Sequence, residues 1–221
     1  QLIFDTNATA SGADQNGFVD GPVYKEGAEA FTVPTGDAGM LGQIGISNLS
    51  GSTTFKAEYV YASYSVTAVE PSLNRVSCME YWDLAPSGPA TADVTLIWDL
   101  SSLHGIADAS DITVAHYDGM TDWDEPDAFP TVDFMDPGSV TASGVSNFSP
   151  FTFGSKFGFS NLGAPPVPLA IELLTFKAEE KGGAVSLIWS TLTETNNSRF
   201  VVERSEDLVT WSQVASQKGA G

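Results

Sequence analysis

The chain has 221 residues, 42% of them hydrophobic and 11% aromatic, which is enough to fold around a real core and argues against disorder. Lys and Arg number 9 against 28 Asp and Glu, a formal charge of −19. Such a surface repels phosphate backbones and anionic lipid heads, which excludes nucleic acid as a partner and leaves cations and cationic partners open.

In chain order, the sequence alternates short runs rich in Thr, Val, Tyr and Phe with Gly, Ser, Asp and Asn, the grammar of strands and turns. Strands are expected at Gln1–Phe4, Phe18–Lys25, Ala30–Val33, Gln43–Ser47, Thr53–Tyr61, Arg75–Leu84, Ala92–Leu100, Ile112–Tyr117, Ser139–Val145 and Ser149–Phe153. In "FKAEYVYAS" Phe55, Ala57, Tyr59 and Tyr61 share a face, and in "TADVTLIWDL" Val94, Leu96 and Trp98 do. No segment keeps a 3.6-residue apolar period, so only "SSLHGI" and "DASD" are expected as short helical turns. The fold class is all-β, an antiparallel sandwich with long surface loops. No apolar run approaches the ~18 residues of a membrane helix, so no membrane insertion is expected.

Prolines 165, 166 and 168 in "NLGAPPVPLA" remove three amide donors and fix an extended backbone. They divide the chain into an acidic sandwich-type domain (1–160), a linker (161–169) and a second module (170–221). There "IELLTFKAEEKGGAVSLIWS" reads as two strands joined at Lys181-Gly182-Gly183, with Leu174, Phe176 and Ala178 facing Val185, Leu187 and Trp189. Phe200 and Val202 continue the pattern in a further strand, and Trp211 marks another.

This second module resembles the fibronectin-type-III-like module near the C-terminus of many Bacteroidota cell-surface and secreted proteins. The residues that carry the likeness are Pro168 to Phe176, Leu187 to Trp189, Asn196-Asn197 and Phe200 to Ser205. The first domain is similar to a segment that commonly precedes that module, through "GFVDGPVYKEGAEAFTVPTGDAG", "LNRVSCMEYWDL", "DITVAHYDG" and "SNFSPFTFGS". The resemblance implies export by the type IX route to the cell surface or medium. It also implies a module that continues past Gly221 with roughly three more strands, because a sandwich of this kind takes about seven. Residues 170–221 then form a partial immunoglobulin- or fibronectin-III-like sheet, and three readings stay open: a cut or unobserved remainder, completion by another copy, or packing on the first domain. If copies complete one another, Leu2, Phe4, Val185, Leu187, Trp189, Phe200 and Val202 are the expected contact residues, with Gln1–Phe4 as a strand to donate. The expected partners are copies of the chain or neighbouring surface modules.

No catalytic residues are expected. His104 and His116 lack a zinc-binding pattern, and no Gly-x-Ser-x-Gly turn exists for a nucleophile. The lone Cys78 sits in an apolar stretch and is expected to be a buried small hydrophobe that forms no intrachain disulfide. "HYDGMTDWDEPDAFPTVDFMD" offers Asp118, Asp122, Asp124 and Asp127 as hard oxygen ligands for Ca²⁺, the one cofactor considered. The EF-hand order is missing, and a solvated acidic loop explains the same residues; Asp108 and Asp111 form a weaker pair. Tyr59, Tyr61, Tyr64, Tyr81 and Trp82 suit a core better than a sugar-stacking platform, because alternation turns several inward. Two functions follow: a non-catalytic surface module, with strand exchange into a fibre, or a calcium-assisted adhesin or carbohydrate-binding module.

Overall fold

The computed structural model describes residues 2–99, 101–127, 129–135, 137–148, 150–163, 171–194, 199–205 and 210–218, without side-chain placement at 101, 102, 171–174 and 192–194. The expected linker prolines, the Asn196-Asn197 turn and Gly221 lie outside the described residues. Two compact units, 1–164 and 165–221, make up the chain. Both are all-β.

In the first unit an eight-stranded sheet runs Leu2–Phe4, Val23–Gly27, Thr53–Val60, Tyr81–Pro86, Phe151–Ser155, Ile112–Tyr117 and Trp123–Asp124, with Arg75–Val76 also paired to Phe151–Ser155. A five-stranded sheet runs Thr131–Asp133, Gly138–Val145, Ala92–Trp98, Ile44–Ser47 and Phe31–Val33. Every pairing in these sheets is antiparallel except that of Leu2–Phe4 with Val23–Gly27. A small third sheet joins Val19–Asp20, Thr35–Asp37 and Met40–Leu41.

Alternation builds the core. Phe55, Ala57 and Tyr59 point inward from one sheet, Val94, Leu96 and Trp98 from the other, and all six are buried in one cluster with Trp82, Leu84, Phe151 and Phe153. Each of the larger aliphatic and phenyl side chains among them contributes roughly 1.5–3 kcal/mol when fully buried. Gly42 is fixed by close approach: a Cβ there would lie 2.1 Å from the Tyr59 ring. Its carbonyl accepts from Trp82 Nε1 (2.9 Å) and from the buried Thr35 hydroxyl (2.7 Å).

Ile112–Tyr117 is buried on both faces. Its outer side chains Ala115 and Tyr117 pack with Leu73, Val76 and Trp123, and Tyr64, Val66 and Val69 lean on that group. Trp123 is held there by Nε1 donating to Val66 O at 2.8 Å and by backbone bonds to Ala68 and Glu70.

Two expected strands break, and most of the others shift by one or two residues at their ends, Ser149–Phe153 to Phe151–Ser155 among them. Phe18–Lys25 breaks into Val19–Asp20 and Val23–Gly27 at Gly21, which sits at φ 107°. Arg75–Leu84 breaks around Ser77–Met79, and the Gln1–Phe4 strand begins at Leu2 among the described residues. The two expected turns are 3-10 turns, Ser101–His104 and Ala109–Asp111. Cys78 is half-buried, its Sγ 3.9 Å from Val76 O.

Candidate interaction surfaces

In the second unit Ile171–Lys181 and Ala184–Glu194 pair antiparallel across Gly182-Gly183, whose φ values of 63° and 82° give the left-handed turn that matches strand twist. Phe176 stands opposite Trp189 and Ala178 opposite Leu187, and the same unbroken register sets Val185 opposite Glu180; the register shifts only on both sides of Leu173. Arg199–Arg204 and Ser212–Lys218 form a second hairpin, with Phe200 opposite Gln217 and Val202 opposite Ala215. The Trp189 and Phe200 rings lie 5.6 Å apart, tilted by 59°, and join the two hairpins. Phe176, Trp189, Phe200, Val201 and Val202 line a shallow recess of about 140 Å³.

This surface is open. None of the described side chains of the second unit is buried; Leu187, Trp189, Phe200 and Val202 are half-buried. Phe176 is 59% and Val185 66% exposed, and Trp211 and Val214 are exposed as well. An alternating pattern that assigns these residues to a core therefore meets no opposing layer among the described residues.

The remaining expected contact strand is engaged elsewhere. Leu2–Phe4 pairs in parallel with Val23–Gly27 of the same chain, and the Phe4 ring lies 5.0 Å from Phe31. Leu2 stays exposed. Donation of this strand requires it to leave its own sheet.

The acidic residues are spread along the loop and serve local backbone. Asp118 accepts from the amides of Met120 (2.7 Å), Thr121 (2.9 Å) and Asp122 (3.3 Å). The Met120 amide is the main reason its carboxyl sits below the usual range, with burial opposing and the Thr121 and Asp122 amides and His116 adding to the shift. Asp122 accepts from the Thr121 hydroxyl, Asp124 lies 3.3 Å from His116 Nδ1, and Asp127 accepts from the amides of Phe129 and Ser143. Among the described residues no three His, Cys, Asp or Glu side chains come together as a metal site. Asp108 caps Ser110, whose hydroxyl and amide lower its carboxyl, and the buried Asp111 accepts from Ser155 Oγ and the amides of Phe157 and Ser160.

Two features escape a linear reading. Glu80, His104 and Tyr59 meet in the core: Tyr59 donates to Glu80 at 2.7 Å, and His104 Nδ1 lies 2.8 Å from both carboxylate oxygens. Burial foremost, then the Glu80 charge, pushes the Tyr59 phenol far above its ordinary range. The second is apolar exposure in the acidic loop, where Phe129 (91%), Phe134 (67%) and Met135 (70%) face solvent. Of the aromatics weighed for sugar stacking, Tyr59 and Trp82 are buried, while Tyr64 packs against Tyr81, Tyr117 and Trp123.

No family model, curated protein or solved structure matches this chain. Among the described residues no helix is long and apolar enough to cross a membrane.

Proposed function

We propose that this chain is a non-catalytic, extracellular structural module of a surface protein, in which the open hairpin face of the second unit is completed by strands from another copy to build a fibre. One observation carries this reading: the alternating apolar side chains of the second unit lie on paired strands, yet none of those described is buried. An uncovered sheet face, on strands that pair with no further strand among the described residues, favours strand addition. Head-to-tail addition that does not close on itself propagates as a filament.

Two further points support it. The first unit spends its buried acid–base groups on scaffolding, with Glu80 and His104 bound to each other inside the sandwich. The motifs "IELLTFKAEEKGGAVSLIWS" and "RFVVERS" resemble modules of type IX-exported surface proteins, which suits a secreted location. Sedimentation velocity and electron microscopy of the full chain over a concentration series test the proposal. Filaments with a regular axial repeat are the expected result. A chain that stays monomeric throughout overturns strand sharing.

A further inference from the structure

Thr131–Asp133 is the last strand of the five-stranded sheet. It pairs with the Gly138–Val145 strand through Thr131↔Thr141, Val132↔Val140 and Asp133↔Ser139, and among the described residues no strand pairs with its other side. Such an edge is a template for an added strand. Beside it a recess of about 400 Å³ is lined by Thr131 to Met135, Ser139 and Thr141. Phe134 and Met135 stand exposed at its rim, 67% and 70% open to solvent. Exposed apolar patches of this kind mark contact surfaces.

Charge decides what can dock. Asp133 accepts from the Met135 amide beside the patch, and Asp127 accepts from the amides of Phe129 and Ser143 toward the Thr131 end of the edge, so a carboxylate is held in place at each end of the strand. The first unit carries 21 Asp and Glu but four Lys and Arg. Of those four, Lys25 is buried, and Lys56 and Lys156 are in ion pairs with Glu58 and Glu125. A second copy of this edge brings like charges face to face, which disfavours edge-to-edge pairing between copies. A strand bearing Lys or Arg meets the opposite sign.

We propose that the Thr131–Met135 edge is a docking site for an extended cationic peptide segment with apolar side chains at alternate positions. The added strand pairs its backbone with the free edge, seats apolar side chains on Phe134 and Met135, and sets its cations against Asp127 and Asp133. This site is independent of the hairpin face of the second unit.

The test is fluorescence anisotropy with the full chain and three labelled heptapeptides: alternating Lys/Val, Lys/Ser and Glu/Val. The Lys/Val peptide is expected to bind at least about tenfold tighter than Lys/Ser, to weaken with salt, and to outbind Glu/Val by more. A Phe134→Ser, Met135→Ser double variant is expected to lose about tenfold for Lys/Val and nothing for Lys/Ser. Should that variant melt lower, a Lys/Val peptide N-methylated at alternate amides replaces it, with the same tenfold loss expected because the strand pairing is blocked. Equal binding of Lys/Val and Lys/Ser, binding untouched by both changes, or no binding at all overturns the proposal.

Discussion

His104 Nδ1 lies 2.8 Å from the Glu80 carboxylate, with both side chains wholly enclosed in the first unit. His104 leaves the 3-10 turn that follows Ala92–Trp98 in one sheet, and Glu80 directly precedes Tyr81–Pro86 in the other, so their contact joins the two layers. The Phe153 ring stands edge-on to the imidazole at 5.7 Å, and the Thr152 hydroxyl donates to the Glu80 carbonyl at 2.6 Å.

Removing one member of this group strands the others. Glu80→Ala leaves the Tyr59 hydroxyl and His104 Nδ1 without an acceptor inside the core, and urea unfolding is expected to show a loss of about 3–5 kcal/mol. Tyr59→Phe deletes one hydrogen bond and is expected to cost about 1 kcal/mol. Equal, small losses for both variants would remove the network from the account of stability.

Gly42→Ala is a steric test of the same region. The new methyl would sit 2.1–2.4 Å from three atoms of the Tyr59 ring, so a loss of about 1–3 kcal/mol is expected on thermal or urea melting. Gly88→Ala meets nothing within 4 Å and is expected to stay within about 0.5 kcal/mol of the parent.

Asp118 makes stability depend on acid. Its folded carboxyl titrates below the unfolded one. Its contribution is therefore present above the unfolded value, about 3.9 for Asp, and is lost as pH falls through the lower folded value. Carbon-detected NMR titration should place the Asp118 midpoint below that of a model peptide, and Asp118→Asn should flatten the acid limb of stability. Because the loop carboxylates already accept protein N–H and O–H groups, millimolar Ca²⁺ is expected to leave the melting temperature unchanged; a clear rise would favour the calcium reading.

In the second unit, Trp189→Ser with Phe200→Ser removes the two rings that meet at 5.6 Å. Self-assembly, followed by sedimentation, is expected to require at least about tenfold more protein, the size of effect that loss of an aromatic anchor produces. Melting of the first unit is expected to stay put, since its core draws on residues 1–164. Unchanged assembly would mean that the hairpin face is not the contact.

Alternation made most of the sandwich legible. Ile112–Tyr117 begins and ends where the pattern places it, and Val94, Leu96 and Trp98 point into the core. The hairpin turn was legible in Gly182-Gly183, where two consecutive positive φ values need glycine. Leu2–Phe4 reads as a strand, but its parallel partner Val23–Gly27 could not be read, because nothing local distinguishes one edge from another. The same limit hid the exposed rim at Phe134 and Met135: those side chains look like core material until a three-residue edge strand carries them outside.

The sequence by itself determined an acidic, all-β chain with inward and outward faces, because the two-residue period of a strand is a local property of the backbone. Only the tertiary structure decided which strands became neighbours. It brought Tyr59, Glu80 and His104 together from positions 21 to 24 residues and more apart. It also left Phe176, Trp189 and Phe200 without a covering layer among the described residues. Burial and pairing depend on where distant segments pack, and no short window of residues contains that information.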